Sequence, residues 1–193
     1  MTPLQESARL IGGHCWSERR AFEIFGGWVP EVDDPAAKVA LDRHSAHCAW
    51  RARQWEDRLP VLAGVSREDL VAAPHGLEGL ADAAARAVGG LEPERSDVAT
   101  VARLAGAYRV VLPRLVSAYR VHLAAASPVA DGPTRRSLGM GLADAVEDWA
   151  EGETLLQRFL VDPVAVRAAA ETVTSLESVL LSAPPPLKGD EIK

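Results

Sequence analysis

A chain of 193 residues that is 48% apolar and 25% charged has the length and balance of one folded domain, and wholesale disorder is excluded on composition. A net charge of −6, with no Lys/Arg-rich run, argues against an electrostatic nucleic-acid binder, which needs a basic face to displace counterions. No apolar stretch nears the roughly 20 residues that span a bilayer, and the opening MTPLQESARL lacks the basic start and apolar core of an export signal.

Periodicity is helical almost throughout, without strand alternation. A first helix is expected over 3–28, begun at Pro3 and stopped by Gly26, Gly27 and Pro30, with the apolar stripe Ile11, Cys15, Phe22, Phe25 and Val29. A second opens after Asp33 or Asp34, with Pro35 in its first turn, and ends at Pro60. Residues 61–95 read as a crossover. It holds a helix-start box at Ser66-Arg67-Glu68-Asp69 and a short helix within 76–88, punctuated by Pro74, Gly76, Gly89, Gly90 and Pro93. The next long helix begins near Ser96-Asp97 and runs through Leu104, Tyr108, Leu115 and Tyr119. Pro113 should kink it by removing one helical hydrogen bond. After a turn at 127–134 comes a helix carrying Leu138, Leu142, Ala145, Trp149, Leu156 and Phe159. Asp162-Pro163 opens a last helix to about 181. Residues 1–182 are thus expected to form one domain and 183–193 a flexible tail.

Two hairpins joined by a long crossover imply an all-α, four-helix bundle with an added C-terminal helix. The hairpins also resemble each other faintly: an offset of 100 residues places His44 on Asp144, His47 on Glu147 and Arg51 on Glu151.

The chemistry is concentrated on the first hairpin. Glu18 lies inside the series Ile11, Cys15, Glu18, Phe22, Phe25, whose 4-3-4-3 spacing is that of a core-facing seam. A carboxylate there is costly unless it is paired, hydrogen-bonded or bound to metal. On the second helix His44 and His47 share a side at i, i+3, and Arg51 follows one turn later. The simplest arrangement is a buried network in which Glu18 pairs with Arg51 and a histidine. A sharper one is a single ion held by Glu18, His44, His47 and Asp144 or Glu147. Cys15 and Cys48, with His14 nearby, supply ligand types for zinc or copper, but their spacing matches no compact zinc motif. Without an export signal the two cysteines read as reduced, partly buried thiols and the chain as cytoplasmic. Tyr108 and Tyr119 read as core residues with satisfied hydroxyls, and His75 and His122 as surface or loop positions. The acidic stretch 147–153 reads as a solvated face with one acid turned inward.

Glu18 within ERRAFEIFGGW, the histidine pair within DRHSAHCAWRARQWEDRLP and the long crossover make residues 4–160 resemble a ferritin-like protein. The two motifs also resemble uncharacterised helical proteins of high-GC actinobacteria. Ferritin-like families commonly bind two iron or manganese ions and oxidise or hydroxylate substrates. Their ligand pattern is one Glu from each of two helices and Glu-x-x-His from each of the other two. Here the second helix offers His44-x-x-His47, a later one offers Asp144-x-x-Glu147, and the helix bearing Tyr108, Leu112 and Leu115 offers no acid. The expectation is therefore a bundle with an incomplete di-metal site, a homo-oligomer acting as a binding or interaction module with a small-molecule ligand in view. The alternative is a metal-dependent oxidase or hydroxylase with Glu18, His44, His47, Asp144 and Glu147 as ligands.

Overall fold

The computed structural model describes residues 3–86 and 96–182, so the expected tail at 183–193 lies outside the described residues. Within them the chain is all-helical apart from one isolated bridge between Leu62 and Val65. Helix α1 (Pro3–Trp28) passes through a 3-10 turn (Val29–Glu31) into α2 (Pro35–Glu56). The crossover carries α3 (Arg67–Leu70) and α4 (Leu77–Arg86). Then come α5 (Ser96–Ala105), a π-helical segment (Gly106–Val111), α6 (Leu112–Ala125), α7 (Gly132–Phe159) and α8 (Pro163–Leu181). No described helix is long and apolar enough to cross a membrane.

The punctuation read from the sequence does its work in the backbone. Asp34 caps α2, its Oδ1 accepting from Ala37 N at 2.8 Å, with Pro35 locked into the first turn. Asp162 caps α8 by accepting from the amides of Val164 and Ala165, both at 2.8 Å. Ser66 and Asp69 exchange the two bonds of a capping box at the start of α3. The kink expected at Pro113 takes a different form. The helix widens for six residues before the proline, and Leu112 N donates to the Ala107 carbonyl, five residues back. That π-helical turn absorbs the hydrogen bond and the space that the proline ring denies the regular ladder.

Side-chain pairings give the directions of the long helices. Arg51 meets Glu18 and Ser45 meets the Phe22 carbonyl, so α1 and α2 are antiparallel. His47 meets Asp148 and Arg51 meets Asp144, so α2 and α7 are antiparallel too. His14 meets His122 and Glu18 meets Tyr119, which sets α1 against α6 in the same sense. His44 reaches Tyr108 and Trp55 reaches Tyr119, so the α5–α6 rod runs parallel to α2 across the interior. The long crossover is what permits this parallel return. The end of α3 lies directly on α1: a Cβ at Gly12 would fall 1.7 Å from the Leu70 carbonyl oxygen. Helix α8 packs on α4 and α5.

The core is two apolar clusters. The larger holds Phe25, Trp28, Leu41, Leu104, Leu112 and Leu156, and the smaller holds Ile11, Trp55, Val116, Leu138 and Ala145. Trp149 packs against both. Phe22, expected in the seam, is exposed and Ala21 faces inward in its place, while Phe25 is buried. His122, expected at the surface, is buried.

Candidate functional site, a guanidinium–carboxylate centre

A group of buried polar side chains, Glu18, His44, Arg51 and Asp148, sits among these apolar residues, together with the fully buried Tyr108 and Tyr119. Arg51 is its hub. Its Nε donates to Glu18 Oε1 at 2.8 Å, and its Nη1 donates to Asp144 Oδ2 at 2.5 Å and Asp148 Oδ2 at 2.8 Å. Its Nη2 donates to Cys48 Sγ at 3.1 Å. One guanidinium thereby ties α1 to α2 and α2 to α7, using the planar fork of donors that lysine lacks. Burial alone would ease the proton off Arg51, but the charge of Glu18 and the hydrogen bonds to Glu18 and Asp148 reverse this and hold it firmly cationic.

Glu18 is fully buried, as its seam position requires. Its Oε1 accepts from Arg51 and from the Tyr119 hydroxyl at 2.5 Å, and that hydroxyl accepts from Trp55 Nε1 at 2.7 Å. The result is a directed chain, indole to phenol to carboxylate, in which each bond polarises the next. Burial and then the neighbouring Glu18 charge push the Tyr119 phenol well above its ordinary range, so it remains a donor. Oε2 of Glu18 is buried without a hydrogen-bond partner.

On the α7 side, His47 Nδ1 lies 2.7 Å from Asp148 Oδ1, and since an ionised carboxylate only accepts, the proton sits on Nδ1. His44 Nε2 lies 3.2 Å from Glu151 Oε2 and 3.7 Å from Asp148 Oδ1, while its Nδ1 faces the Tyr108 hydroxyl at 3.0 Å. Burial pulls the His44 pKa down more than Asp148 and Glu151 lift it. A neutral ring donating from Nε2 and accepting at Nδ1 satisfies both contacts. Tyr108, which comes from the π-helical turn, is held protonated first by burial and then by the charge of Asp148. Its ring passes over Gly152, where a Cβ would lie 2.0 Å from the Tyr108 Cδ1.

Cys15 and Cys48 are both free and buried. Burial raises each thiol pKa, and for Cys48 the charge of Glu18 raises it further. Such thiols are inert as nucleophiles, since the thiolate is the reactive form.

Of the residues singled out in the sequence, Glu18 and Asp144 both meet Arg51, and His44 and His47 both approach Asp148. Glu147 is exposed and takes no part in the cluster; the inward acid of α7 is Asp148, one residue on. The signal for it was present: Leu138, Gly141, Ala145, Asp148 and Gly152 follow the 3-4-3-4 spacing of the buried face. Tyr119, Trp55 and Tyr108 complete the centre.

No protein-family profile, curated protein or solved structure matches this chain. The site is therefore argued from its own donors. A two-metal carboxylate centre does not fit it. Helix α6 turns Leu112, Leu115 and Tyr119 inward with no acid, and the position among three carboxylates is taken by the Arg51 cation. A smaller donor set lies nearer the surface, where His47, Asp144 and Asp148 each place one ligand atom within 4.8 Å of the others.

Glu18→Gln removes the charge but keeps the acceptor. It should destabilise the fold by about 1–3 kcal/mol, because Arg51 loses its most buried counter-ion. Urea denaturation of the variant beside the parent measures this, and an unchanged midpoint would mean the pair contributes nothing.

A second polar pair lies beside the centre. His14 Nε2 and His122 Nδ1 are 2.9 Å apart, and the His14 ring packs against Trp55 and Tyr119. Burial, and then His122, lower the His14 pKa to about 3; burial lowers His122 as well. Both rings are neutral in the folded state, one donating to the other. The unfolded chain takes up protons near pH 6.5, the folded one only far lower. Stability should therefore be complete above about pH 6.5 and fall steadily toward pH 3. Urea midpoints measured across that range should show a shallower decline in His14→Gln.

Proposed function

We propose that this chain is a ferritin-like helical bundle working as a binding or interaction module, with its carboxylate centre closed by an internal cation instead of by metal. The observation that carries the reading is the Arg51 guanidinium bound to Glu18, Asp144 and Asp148 together. A guanidinium there supplies the positive charge that a bundle metal would supply, and it offers neither an open coordination position nor redox chemistry. The remaining members, Tyr108, Tyr119, His44 and the two thiols, are held in their neutral, unreactive forms. The antiparallel pairing of α1 with α2, α2 with α7 and α1 with α6, and the parallel return of α5–α6 after the crossover, support the ferritin-like arrangement.

A second reading is favoured by one observation, the His47, Asp144 and Asp148 ligand atoms gathered within 4.8 Å. One imidazole and two carboxylates suit a single divalent ion, iron or manganese among them, and would make the chain a metal-dependent oxidase or hydroxylase. Elemental analysis of protein purified without chelator or affinity tag separates the two. The module reading expects no stoichiometric metal and no change in melting temperature on titration with iron(II), manganese, zinc or copper. Stoichiometric metal lost in His47→Ala would establish the second reading in its place.

A further inference from the structure

We infer that the groove between α2 and α7 is a self-association face, and that a second copy of this chain docks there across a twofold axis in the C-terminal part of α7. This rests on the reading of the chain as an interaction module and names its partner. The groove is open and holds about 720 Å³, floored by small and apolar side chains that include Ala36, Ala40, Ala150 and Leu155. Val39, on its α2 wall, is 63% exposed, a large apolar side chain that no other described residue covers.

The charge pattern along α7 selects the occupant. Glu147 and Arg158 lie on the solvent side of α7, on either side of Ala150 and Thr154, and all four are exposed. Neither charge has an ion pair within the described residues. They are eleven residues apart, about 16 Å along the helix. If two copies of α7 meet antiparallel about an axis between positions 152 and 153, each Glu147 falls opposite the Arg158 of the second copy. Two ion pairs then flank a centre of Ala150 and Thr154, whose small side chains let the helices approach closely. A twofold interface must complement itself, and one acid and one base placed symmetrically about a small-residue centre satisfy that condition. Arg43, paired across the groove with Glu151, keeps the groove wall charge-balanced for that approach. A surface with only one sign of charge would repel a copy of itself.

Sedimentation velocity of the full chain over a concentration series, with light scattering, tests this. The wild type should be a dimer. Arg158→Glu and Glu147→Arg should each weaken dimerisation by tenfold or more, through like charges brought face to face. The double variant carrying both changes should restore it. Both positions are exposed, so the variants should keep the helical content of the wild type, checked by circular dichroism. A monomeric wild type overturns the inference, as does a dimer indifferent to Arg158→Glu or a loss that the double swap fails to repair. A monomer free of metal overturns this interface alone, whereas a dimer carrying stoichiometric metal overturns the module reading alone.

Discussion

Arg51→Met is expected to destabilise the protein by roughly 3–5 kcal/mol, the magnitude found when one partner of a buried ion pair is removed and the other is left behind. Methionine keeps most of the buried stem and adds no polar atom, so the loss reports the charge and its hydrogen bonds. Glu18 and Asp148 are 0% and 2% exposed, so water cannot take over from the guanidinium, and Asp144 loses the same donor. Denaturant unfolding measures the loss. A cycle then locates its origin. In a background of Glu18→Gln and Asp148→Asn, which need no cation, Arg51→Met should cost far less than it does alone. Equal costs in both backgrounds would mean that the arginine stem, not the network, matters. The variant also bears on function. If the guanidinium stands where a bundle metal would stand, Arg51→Met should gain a rise in melting temperature on adding manganese or zinc that the wild type lacks. No cation response in the variant would mean that the carboxylates are not arranged to hold an ion.

The helix starts were legible in the sequence because their signals are local. Asp34-Pro35, Asp162-Pro163 and Ser66 through Asp69 each specify backbone geometry within four residues, and each is a cap in the structure. Glu18 was legible as a buried acid because its neighbours in the seam, Ile11, Cys15 and Phe25, are apolar and fix the helical phase. On α7 the same reasoning offered Asp144 or Glu147 and one inward acid within 147–153; Asp144 meets Arg51 and Asp148 turns inward, while Glu147 is exposed. The run Glu147-Asp148-Trp149-Ala150-Glu151-Gly152-Glu153 is acidic in every direction, and the residues that set its phase include Gly141 and Gly152, which carry no hydrophobic signal. Phe22 failed for a related reason: where two helices lie close, the inward position goes to a small residue, here Ala21, and the ring turns out. His122 follows Leu115 and Tyr119 at the 4-3 spacing of a buried face, a signal that its polarity masked. What no local pattern could supply is the convergence on Arg51 of an acid 33 residues before it and two acids more than 90 residues after it. That depends on the long crossover returning α5–α6 parallel to α2, and so on tertiary packing.

Gly152 is where this packing is least forgiving. Gly152→Ala should destabilise the fold by about 3 kcal/mol and release Tyr108 from His44. The added Cβ would lie 2.0, 2.1 and 2.4 Å from three carbons of the Tyr108 ring, well inside contact distance. The ring cannot swing aside. It is fully buried, edge-on to His44, and set by a π-helical turn that Pro113 fixes from the next helical residues. Either the ring is expelled, which sacrifices a buried aromatic, or α7 moves away from the π-helical segment and disturbs its interface with α2, which carries the ion pairs of Asp144, Asp148 and Glu151. Overpacking of this kind costs about 1–3 kcal/mol where neighbours can relax and more where they cannot. The two outcomes differ at the centre. If only the ring leaves, His44 loses the hydroxyl at its Nδ1 while Arg51 keeps its carboxylates; if α7 shifts, both go. Histidine resonances in nuclear magnetic resonance spectra distinguish them, because His47 reports the Asp148 contact and His44 reports Tyr108. Tyr108→Ala/Gly152→Ala, which removes the ring as well, should be no less stable than Tyr108→Ala alone. A double variant that still loses the full 3 kcal/mol would show that the glycine serves the α7 backbone and not the passage of the ring.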